Sequence, residues 1–155
     1  MTSVRASMVD VYVLRGTEAS LQCLVLRRSP GGRCPGSWES VHGHIESDER
    51  PADAALRELE EETGLQPVTL YNLSRVESFY RHLTDDVALI PVFAAIVAPG
   101  STPRLGGEHD QAEWCSLEVA ATRFAWPRSA RAIADIQKLL AGVDAGVLED
   151  VLRVC

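Results

Sequence analysis

The chain has 155 residues and a formal net charge of −7 at pH 7, with 46% hydrophobic and 24% charged residues. This composition is typical of one globular domain, which at this size holds a core without disulfides. The chain contains no block of Lys or Arg, which argues against binding to a nucleic-acid polymer through its backbone. Four charged residues interrupt the first twenty positions, so we expect neither a signal peptide nor a membrane anchor, and a cytoplasmic protein.

The first part of the chain predicts a β-hairpin. Two β-branched and aliphatic runs, at 7–14 and 21–26, flank the turn segment GTEAS and indicate antiparallel strands. A loop rich in Gly and Pro follows at 29–37, and a short extended segment at 38–41. Later strands are expected with an interruption at Pro91, which cannot donate a ladder hydrogen bond. In chain order they lie at 67–80, 87–98 and 111–115.

The segment 51–63 predicts a helix with a start signal and a stop signal. Pro51 suits the first helical position, and Gly64 suits a left-handed cap after the last turn. A core-facing stripe is expected at Ala52, Ala55, Leu56, Leu59 and Thr63. A second helix is predicted over 127–140. We therefore expect one domain, residues 1–155, of mixed α and β character.

The four cysteines are scattered without a C-x-x-C pair, which predicts reduced and mostly buried thiols rather than a zinc site or a disulfide framework. They are Cys23, Cys34, Cys115 and Cys155. The tail 143–155 has an apolar face. This face is compatible with a homodimer contact and equally with a helix packed against its own chain.

Acidic residues concentrate around the first predicted helix. Between Gly43 and Leu65 there are eight acidic and two basic residues, so this stretch carries nearly all of the net charge. The acidic residues are Glu46, Asp48, Glu49, Asp53, Glu58, Glu60, Glu61 and Glu62. Like charges three or four positions apart destabilise a helix by about 0.2–0.5 kcal/mol per pair, so something is expected to offset their repulsion.

At about 100° per residue, Glu58, Glu61 and Glu62 fall within one sector of the helix, and Glu60 points away. Converging carboxylates suit a hard divalent cation such as Mg²⁺ or Mn²⁺. Taken alone, the same pattern also fits a solvated acidic face on which Arg57 pairs with Glu61.

The spacing of the surrounding residues distinguishes these interpretations. Gly43 is followed after five residues by Glu49 and after seven more by Arg57-Glu58-Leu59-Glu60-Glu61-Glu62-Thr63-Gly64-Leu65. This resembles the Nudix hydrolase signature G-x5-E-x7-R-E-U-x-E-E-x-G-U, where U is aliphatic, at all nine specified positions. The resemblance implies an α+β fold, in which helices flank a mixed curved sheet as an α/β/α sandwich.

The resemblance also implies the site. Glu58, Glu61 and Glu62 become metal ligands, joined by the backbone carbonyl before Gly43, with Mg²⁺ or Mn²⁺ as cofactor. Glu61, Arg57 and Glu49 are the catalytic candidates, and Arg57 orients a neighbouring glutamate through a forked hydrogen bond. The general base is either a glutamate of this segment or one from a later loop.

That later loop offers Glu108 as a fourth metal ligand, in competition with Asp110 and Glu113. We expect a loop that Gly43 opens to lead into the helix. Where many family members carry glycine, this chain has His42 and Asp48, so this loop is expected to be stiffer or differently shaped. We interpret His42 and its neighbour His44 as polar loop residues, because hard cations favour oxygen ligands.

The segments LVLRRSP, GSWESVHGHIE and EHDQAEWCSL resemble the bacterial dATP and dihydroneopterin triphosphate pyrophosphatases. This implies cleavage of a nucleoside or pterin triphosphate to the monophosphate and pyrophosphate. Arg27 or Arg28 would meet phosphate oxygens. The candidates for stacking on the ring are Trp38, Phe79, Tyr80 and Trp114. A tyrosine near position 80 also fits dinucleoside polyphosphate hydrolases, the main alternative. A nucleotide sensor without activity is a further alternative.

Overall fold

The computed structural model describes residues 1–17, 20–140 and 143–155. In these ranges the chain forms eight strands and four α-helices. The expected α+β fold, a mixed sheet flanked by helices, is confirmed. The elements are β1 (Ser3–Ala6), β2 (Met8–Thr17), β3 (Ser20–Arg28), β4 (Trp38–Glu39), β5 (Val41–His44), α1 (Pro51–Thr63), β6 (Thr69–Arg81), β7 (Asp86–Ile96), β8 (His109–Ser116), α2 (Leu117–Arg123), α3 (Pro127–Leu139) and α4 (Glu149–Leu152).

Strand β2 organises the sheet. It pairs in parallel with β7, and antiparallel with both β5 and β3. Strand β5 pairs with Met8–Val11 and β3 pairs with Leu14–Thr17. Two different strands are therefore hydrogen-bonded to successive segments of β2. Strand β6 extends the sheet beyond β7, and β8 extends it beyond β3. The predicted antiparallel pairing of β2 with β3 is confirmed, whereas residues 18 and 19 of the predicted turn lie outside the described ranges. Strand β5 lies next to the centre of the sheet.

The core has one layer on each face of this sheet. Alternating residues of β2 point to opposite sides: Val9, Val11 and Val13 pack in the cluster that contains α1. Tyr12 and Leu14 pack in the cluster that contains α2 and α3. The buried strand therefore reads as a nearly continuous apolar run, as expected for a strand covered on both faces.

Helix α1 has the predicted bounds, Pro51–Thr63, and Gly64 caps it with φ +66°. Its buried side is rotated relative to the predicted stripe, because Ala52 and Leu56 are only partly buried. The buried residues are Ala54, Ala55, Leu59, Glu62 and Thr63. One of the three converging glutamates therefore lies on the core side of the helix.

Strand β7 runs through Pro91 as a single strand. Its partner β6 absorbs the irregularity, because the register shifts between Asn72 and Val76 and Ser74 adopts φ +53°. The Asn72 side chain accepts a hydrogen bond from the Ser74 backbone N–H at 2.8 Å, a local turn that stabilises this conformation. The predicted interruption is thus a bulge in the neighbouring strand.

The tail packs against its own chain. The Val154 N–H donates to the Leu70 carbonyl at 2.8 Å, the Leu70 N–H donates to the Cys155 carbonyl at 2.9 Å, and Leu152 is buried. Dimerisation stays a prediction.

All four cysteines are free thiols, but Cys34 is exposed like Cys155, so only half of them are buried. Of the helices in the described ranges, none has both the length and the apolar character needed to cross a membrane.

Asp86 supports a prediction about stability and pH. It is buried and accepts hydrogen bonds from Arg81 and Thr84, and the Arg81 bonds above all lower its pKa from 3.8 to about 2. A lowered carboxyl pKa stabilises the fold above the unfolded value, and this contribution is lost as pH falls towards the folded value. We therefore expect Asp86→Asn to lower the urea midpoint at pH 7, and the difference from wild type to shrink between about pH 4 and 2.

The matched control is Asp85→Asn, because Asp85 is exposed and asparagine tolerates its φ of +48° equally well. An Asp86→Asn difference that stays constant down to pH 2 would contradict this account of the ion pair.

Candidate active site

Gly43 allows α1 to approach β5 closely. A Cβ atom at this position would lie 1.9 Å from the carboxyl carbon of Glu58, so only glycine leaves room for that side chain. Gly43 belongs to β5 and pairs with Val9, which corrects the expectation of a loop opened by Gly43. The connection to α1 follows at 45–50, where Asp48 adopts φ +64°. The conformation that glycine takes freely is therefore imposed here on an aspartate.

Arg57 connects the acidic residues. Its Nε and Nη2 donate to the two Glu49 oxygens at 2.8 and 2.9 Å, and Nη1 donates to Glu58 at 2.7 Å and to Glu61 at 3.3 Å. Nη2 also reaches the His44 carbonyl at 2.8 Å. Hydrogen bonds from Arg57 and from the Glu46 backbone lower the pKa of Glu49. The guanidinium thus ties α1 to β5 and to the connection between them.

Glu62 is a buried carboxylate with an unsatisfied oxygen. It is 6% exposed, and its Oε2 has no hydrogen-bond partner within the described part of the chain. Burial first, and then the charges of Glu108, Glu58 and Glu39, raise the pKa of Glu62 to about 9. Burial likewise raises the pKa of Glu58, with Glu61 and Glu108 adding to it and Arg57 opposing it. These carboxylates therefore lie close enough to repel one another.

A second buried pair faces Glu62. The His109 ring is fully buried, and its Nε2–H donates to Glu39 Oε1 at 2.9 Å. Its Nδ1 lies 3.9 Å from Glu62 Oε2, and neither of these two atoms has a hydrogen-bond partner among the described residues. Arg28 also donates to Glu39 at 2.9 Å. Burial raises the pKa of Glu39, but the His109 and Arg28 bonds outweigh burial and leave it below its ordinary value.

His42 is held by Asp10 on the neighbouring strand. Its Nδ1–H donates to Asp10 Oδ1 at 2.6 Å, and Arg128 donates to Asp10 Oδ2 at 2.7 Å. Asp10 is 1% exposed, and its two partners outweigh burial and lower its pKa. The interpretation of His42 and His44 as loop residues is therefore wrong, because both lie in β5. Through Asp10, His42 connects this strand to the N-terminal turn of α3.

The predicted metal-binding glutamates are close together but not equally placed. Glu62 is buried, Glu58 is mostly buried, Glu61 has a 58% exposed side chain, and Glu60 is exposed on the other side of α1. Exposed Glu108 is near enough to Glu58 and Glu62 to raise the pKa of both. The two alternative candidates for the fourth metal ligand form ion pairs with other residues, since Asp110 pairs with Arg27 and Glu113 pairs with Arg123.

Within the described ranges, no three His, Cys, Asp or Glu side chains already stand in a metal-coordinating arrangement. The donor set nevertheless fits a hard divalent cation. It consists of carboxylates, one of which has a buried and unpartnered oxygen, and Gly43 provides the space beside Glu58. Residues that could hold such a cation are Glu58, Glu61, Glu62 and Glu108.

The predicted substrate-binding side chains have partners in the protein. Half-buried Arg27 forms a two-point pair with Asp110 at 2.8 and 3.1 Å, and Arg28 binds Glu39. Trp38 is half-buried beneath the Arg123 guanidinium, 4.9 Å from its ring centre. The Tyr80 hydroxyl donates to Asp85 at 3.1 Å in the β6–β7 hairpin. Only Arg28 lies directly next to the buried pair described above.

Sequence reasoning missed Glu39, His109, Asp10 and Arg128. Glu39 and His109 each stand beside a residue that was singled out, Trp38 and Glu108. A carboxylate inside an apolar strand was the signal that could have revealed Asp10, because such a group needs a partner when buried. Its partner Arg128 is 118 positions away, and no local pattern marks it.

A family model for the NUDIX domain matches residues 4–136. A curated relative, an octanoyltransferase of Myxococcus xanthus, is 38% identical over 123 residues. The alignment covers 75% of this chain but 32% of that relative, so the chain spans about a third of the relative's length.

Solved structures share the fold. A NUDIX hydrolase of Listeria monocytogenes has a TM-score of 0.75 at 26% identity, covering 88% of this chain and 94% of that one. A C. elegans Ap4A hydrolase has a TM-score of 0.72 at 21% identity, covering 86% and 96%. An E. coli dihydroneopterin triphosphate pyrophosphohydrolase has a TM-score of 0.68 at 24% identity, covering 86% and 95%.

The space at Gly43 leads to a prediction. In Gly43→Ala the new methyl group displaces the Glu58 carboxylate, which is the end of a flexible side chain. We therefore expect the melting temperature to change by only a few degrees, whereas affinity for Mn²⁺, measured by titration calorimetry, falls by about tenfold or more. Gly31→Ala is the control, because a Cβ there has no atom within 4 Å. Unchanged Mn²⁺ affinity in Gly43→Ala would show that Glu58 does not hold the cation.

Proposed function

The chain belongs to the NUDIX family, and we propose that it is an Mg²⁺-dependent pyrophosphohydrolase that cleaves a nucleoside or pterin triphosphate to the monophosphate and pyrophosphate. It is a Nudix hydrolase, an enzyme that acts on phosphoanhydride bonds. The observation that carries the metal-dependent part of the proposal is the unpartnered buried oxygen of Glu62, surrounded by further carboxylates. A buried charge of this kind is costly unless an ion of opposite charge compensates it.

Glu58, Glu61, Glu62 and Glu108 would hold the cation, together with the backbone carbonyl of His42. A bound Mg²⁺ would neutralise the phosphate oxygens of the substrate and so favour attack at phosphorus. The residues provide oxygen atoms on two sides, from α1 and from the segment before β8. This explains why so much negative charge is concentrated on one helix.

Arg57 and Glu49 prepare the site for the reaction. The guanidinium holds Glu49 by two hydrogen bonds and reaches Glu58 and Glu61 with its remaining nitrogen, which orients the carboxylates. Glu61 is the most exposed of the three converging glutamates, so a water molecule has access to it. We assign it the acceptance of the proton that the attacking water releases.

Arg28 is the better placed of the two arginines for contact with phosphate. The charges of Glu39 and Glu108 both act on it, and only Glu39 forms an ion pair with it. Arg33 in the 29–37 loop is exposed, and its charge reaches His44 at the end of β5. Cations on this side of the carboxylates would balance the outer phosphates of a triphosphate.

The first test is a substrate panel. Release of pyrophosphate and phosphate is measured with Mg²⁺ and with EDTA for the deoxynucleoside triphosphates, dihydroneopterin triphosphate, ADP-ribose and diadenosine tetraphosphate. Metal-dependent pyrophosphate release from a triphosphate is expected. Cleavage of the dinucleotide alone would instead favour the alternative function and a role for Tyr80. Activity that persists in EDTA would contradict the cation site.

Glu62→Gln is expected to separate activity from stability. Turnover falls by about 10²–10³-fold, because a ligand that compensates transition-state charge is lost. Stability in EDTA rises instead. The pKa of Glu62 is raised from 4.5 to about 9, so its ionisation lowers the free energy of unfolding. This destabilisation is absent below about pH 4.5, grows with pH and reaches its full value above about pH 9. Thermal melts at pH 5, 7 and 9 check the expected growth of the difference.

Glu60→Gln is the matched control on the same helix, because Glu60 is exposed and lies on the opposite side. Its turnover is expected within about twofold of wild type. A comparable loss in both variants would show that the direction of the side chain does not matter.

Arg57→Lys tests the forked contact. Lysine keeps the charge but forms no two-point hydrogen bond to Glu49, so we expect kcat to fall by about tenfold or more with KM little changed. Arg50→Lys serves as the control, because exposed Arg50 forms a similar pair with Asp53 at the start of α1. Equal effects of the two substitutions would exclude a specific role for Arg57.

A further inference from the structure

The His109 ring lies between two buried carboxylates. On one side its Nε2 is 2.9 Å from Glu39 Oε1, and on the other its Nδ1 is 3.9 Å from Glu62 Oε2. Only the first contact is a hydrogen bond, because a separation of 3.9 Å between nitrogen and oxygen is too long for one. Glu62 is a proposed metal ligand, whereas Glu39 and His109 have no role in the proposed reaction.

Glu39 determines which nitrogen of the ring carries the proton. An ionised carboxylate accepts hydrogen bonds and donates none. Glu39 Oε1 also accepts a hydrogen bond from Arg28 Nη1 at 2.9 Å, and a guanidinium keeps its positive charge. His109 Nε2 is therefore the donor, which leaves a lone pair on Nδ1 of the neutral ring. This lone pair faces the Glu62 oxygen that has no hydrogen-bond partner among the described residues.

Backbone hydrogen bonds fix the chain on both sides of this contact. The Ser29 N–H, just after β3, donates to the Glu108 carbonyl at 2.9 Å. The Gly106 N–H donates to the Glu62 carbonyl at 3.4 Å. These bonds tie the segment before β8 both to the end of β3 and to the last turn of α1. The position of the His109 ring relative to Glu62 is therefore set by the fold, and the ring proton decides what the Glu62 oxygen meets.

The other tautomer of His109 would compete with a cation for Glu62. With its proton on Nδ1, the ring would donate to Glu62 Oε2 once the carboxylate moved about 1 Å closer than its present 3.9 Å. A cation would then have to break that buried hydrogen bond before it could bind the oxygen. A lone pair on Nδ1 forms no such bond and leaves the oxygen available.

We propose that Glu39 is a positioning residue that acts through His109. By holding the ring proton on Nε2, it keeps the buried oxygen of Glu62 available to a divalent cation. This rests on the proposed function, in which Glu62 binds the cation. Carboxylates commonly fix the tautomer of a histidine that binds a metal directly. Here the histidine is placed beside a carboxylate ligand and binds no metal itself.

Two substitutions at Glu39 separate the hydrogen bond from the charge. In Glu39→Gln the charge is lost but an amide oxygen still accepts from His109, whereas Glu39→Leu offers no acceptor. The tautomer of His109 is read from long-range proton–nitrogen NMR spectra of metal-free protein with isotope-labelled histidine, and Mn²⁺ affinity is measured by titration calorimetry. We expect Glu39→Gln to keep the proton on Nε2 and an affinity within about threefold of wild type. We expect Glu39→Leu to move the proton to Nδ1 and to weaken Mn²⁺ binding by about tenfold.

A second substitution distinguishes this role from a merely structural one. Because Glu39 acts through the ring, adding His109→Phe to Glu39→Leu removes the competing proton. The double variant is therefore expected to recover most of the Mn²⁺ affinity that Glu39→Leu loses. Damage to the fold would instead accumulate, and the double variant would bind Mn²⁺ no better than the single one.

Glu113→Gln is the matched control. Glu113 lies on β8 like His109 and pairs with Arg123, so this substitution also removes one charge from an ion pair. It is expected to change neither the tautomer of His109 nor the Mn²⁺ affinity. Melting temperatures identify any variant that fails to fold, and Glu39→Ala, which also lacks an acceptor, then replaces Glu39→Leu.

A wild-type ring with a proton on Nδ1 would overturn the proposal. Equal Mn²⁺ affinities in Glu39→Gln and Glu39→Leu would do the same, and so would a double variant without recovery. Each of these outcomes leaves metal-dependent hydrolysis by wild type unaffected. The proposed function fails separately, if wild type and the variants bind Mn²⁺ as expected but wild type releases no pyrophosphate from any triphosphate. If wild type does not bind Mn²⁺, both proposals are overturned together.

Discussion

Arg57 lies between Glu49, Glu58 and Glu61, and this one guanidinium holds the acidic side of α1 against β5. Its hydrogen bonds offset part of the repulsion that the clustered carboxylates create. They do not reach Glu62, whose oxygen stays buried and unpartnered among the described residues. The incomplete compensation distinguishes this surface from an ordinary solvated helix face. It also gives a divalent cation a physical role in the folded molecule.

Strand β2 constrains the relative positions of β5 and α3. Asp10, near the start of that strand, binds His42 on β5 and Arg128 on α3. Since Asp10 accepts from both sides, β5 and the first turn of α3 cannot move independently without leaving a buried charge unpaired. Gly43 then sets how closely α1 approaches, because any side chain there would occupy the space of the Glu58 carboxylate. Both constraints act within a few residues of one strand pair.

At Glu62, stability opposes the function that we propose for this residue. Burial and neighbouring charges raise its pKa to about 9, so the folded protein tolerates a carboxylate that costs it stability. Proteins retain such groups where they are needed for binding or catalysis. The neighbouring Glu39–His109 pair shows a different arrangement, because Glu39 accepts hydrogen bonds from His109 and Arg28 and keeps a lowered pKa. The two arrangements are adjacent, because His109 Nδ1 lies 3.9 Å from Glu62 Oε2.

The sequence by itself determined the features that depend on short spacing. Residues a few positions apart determine the bounds of α1 and its Gly64 cap. They also determine the antiparallel pairing of β2 with β3 and the different direction of Glu60 from the other glutamates. Tertiary structure alone decided which distant residues complete the site. Glu39 meets His109 across 70 positions and Asp10 meets Arg128 across 118, because strand order and register bring them together. A period of 2 or 3.6 residues carries no information about such pairs, so the burial of Glu62 and the partners of Asp10 became interpretable only once the sheet was assembled.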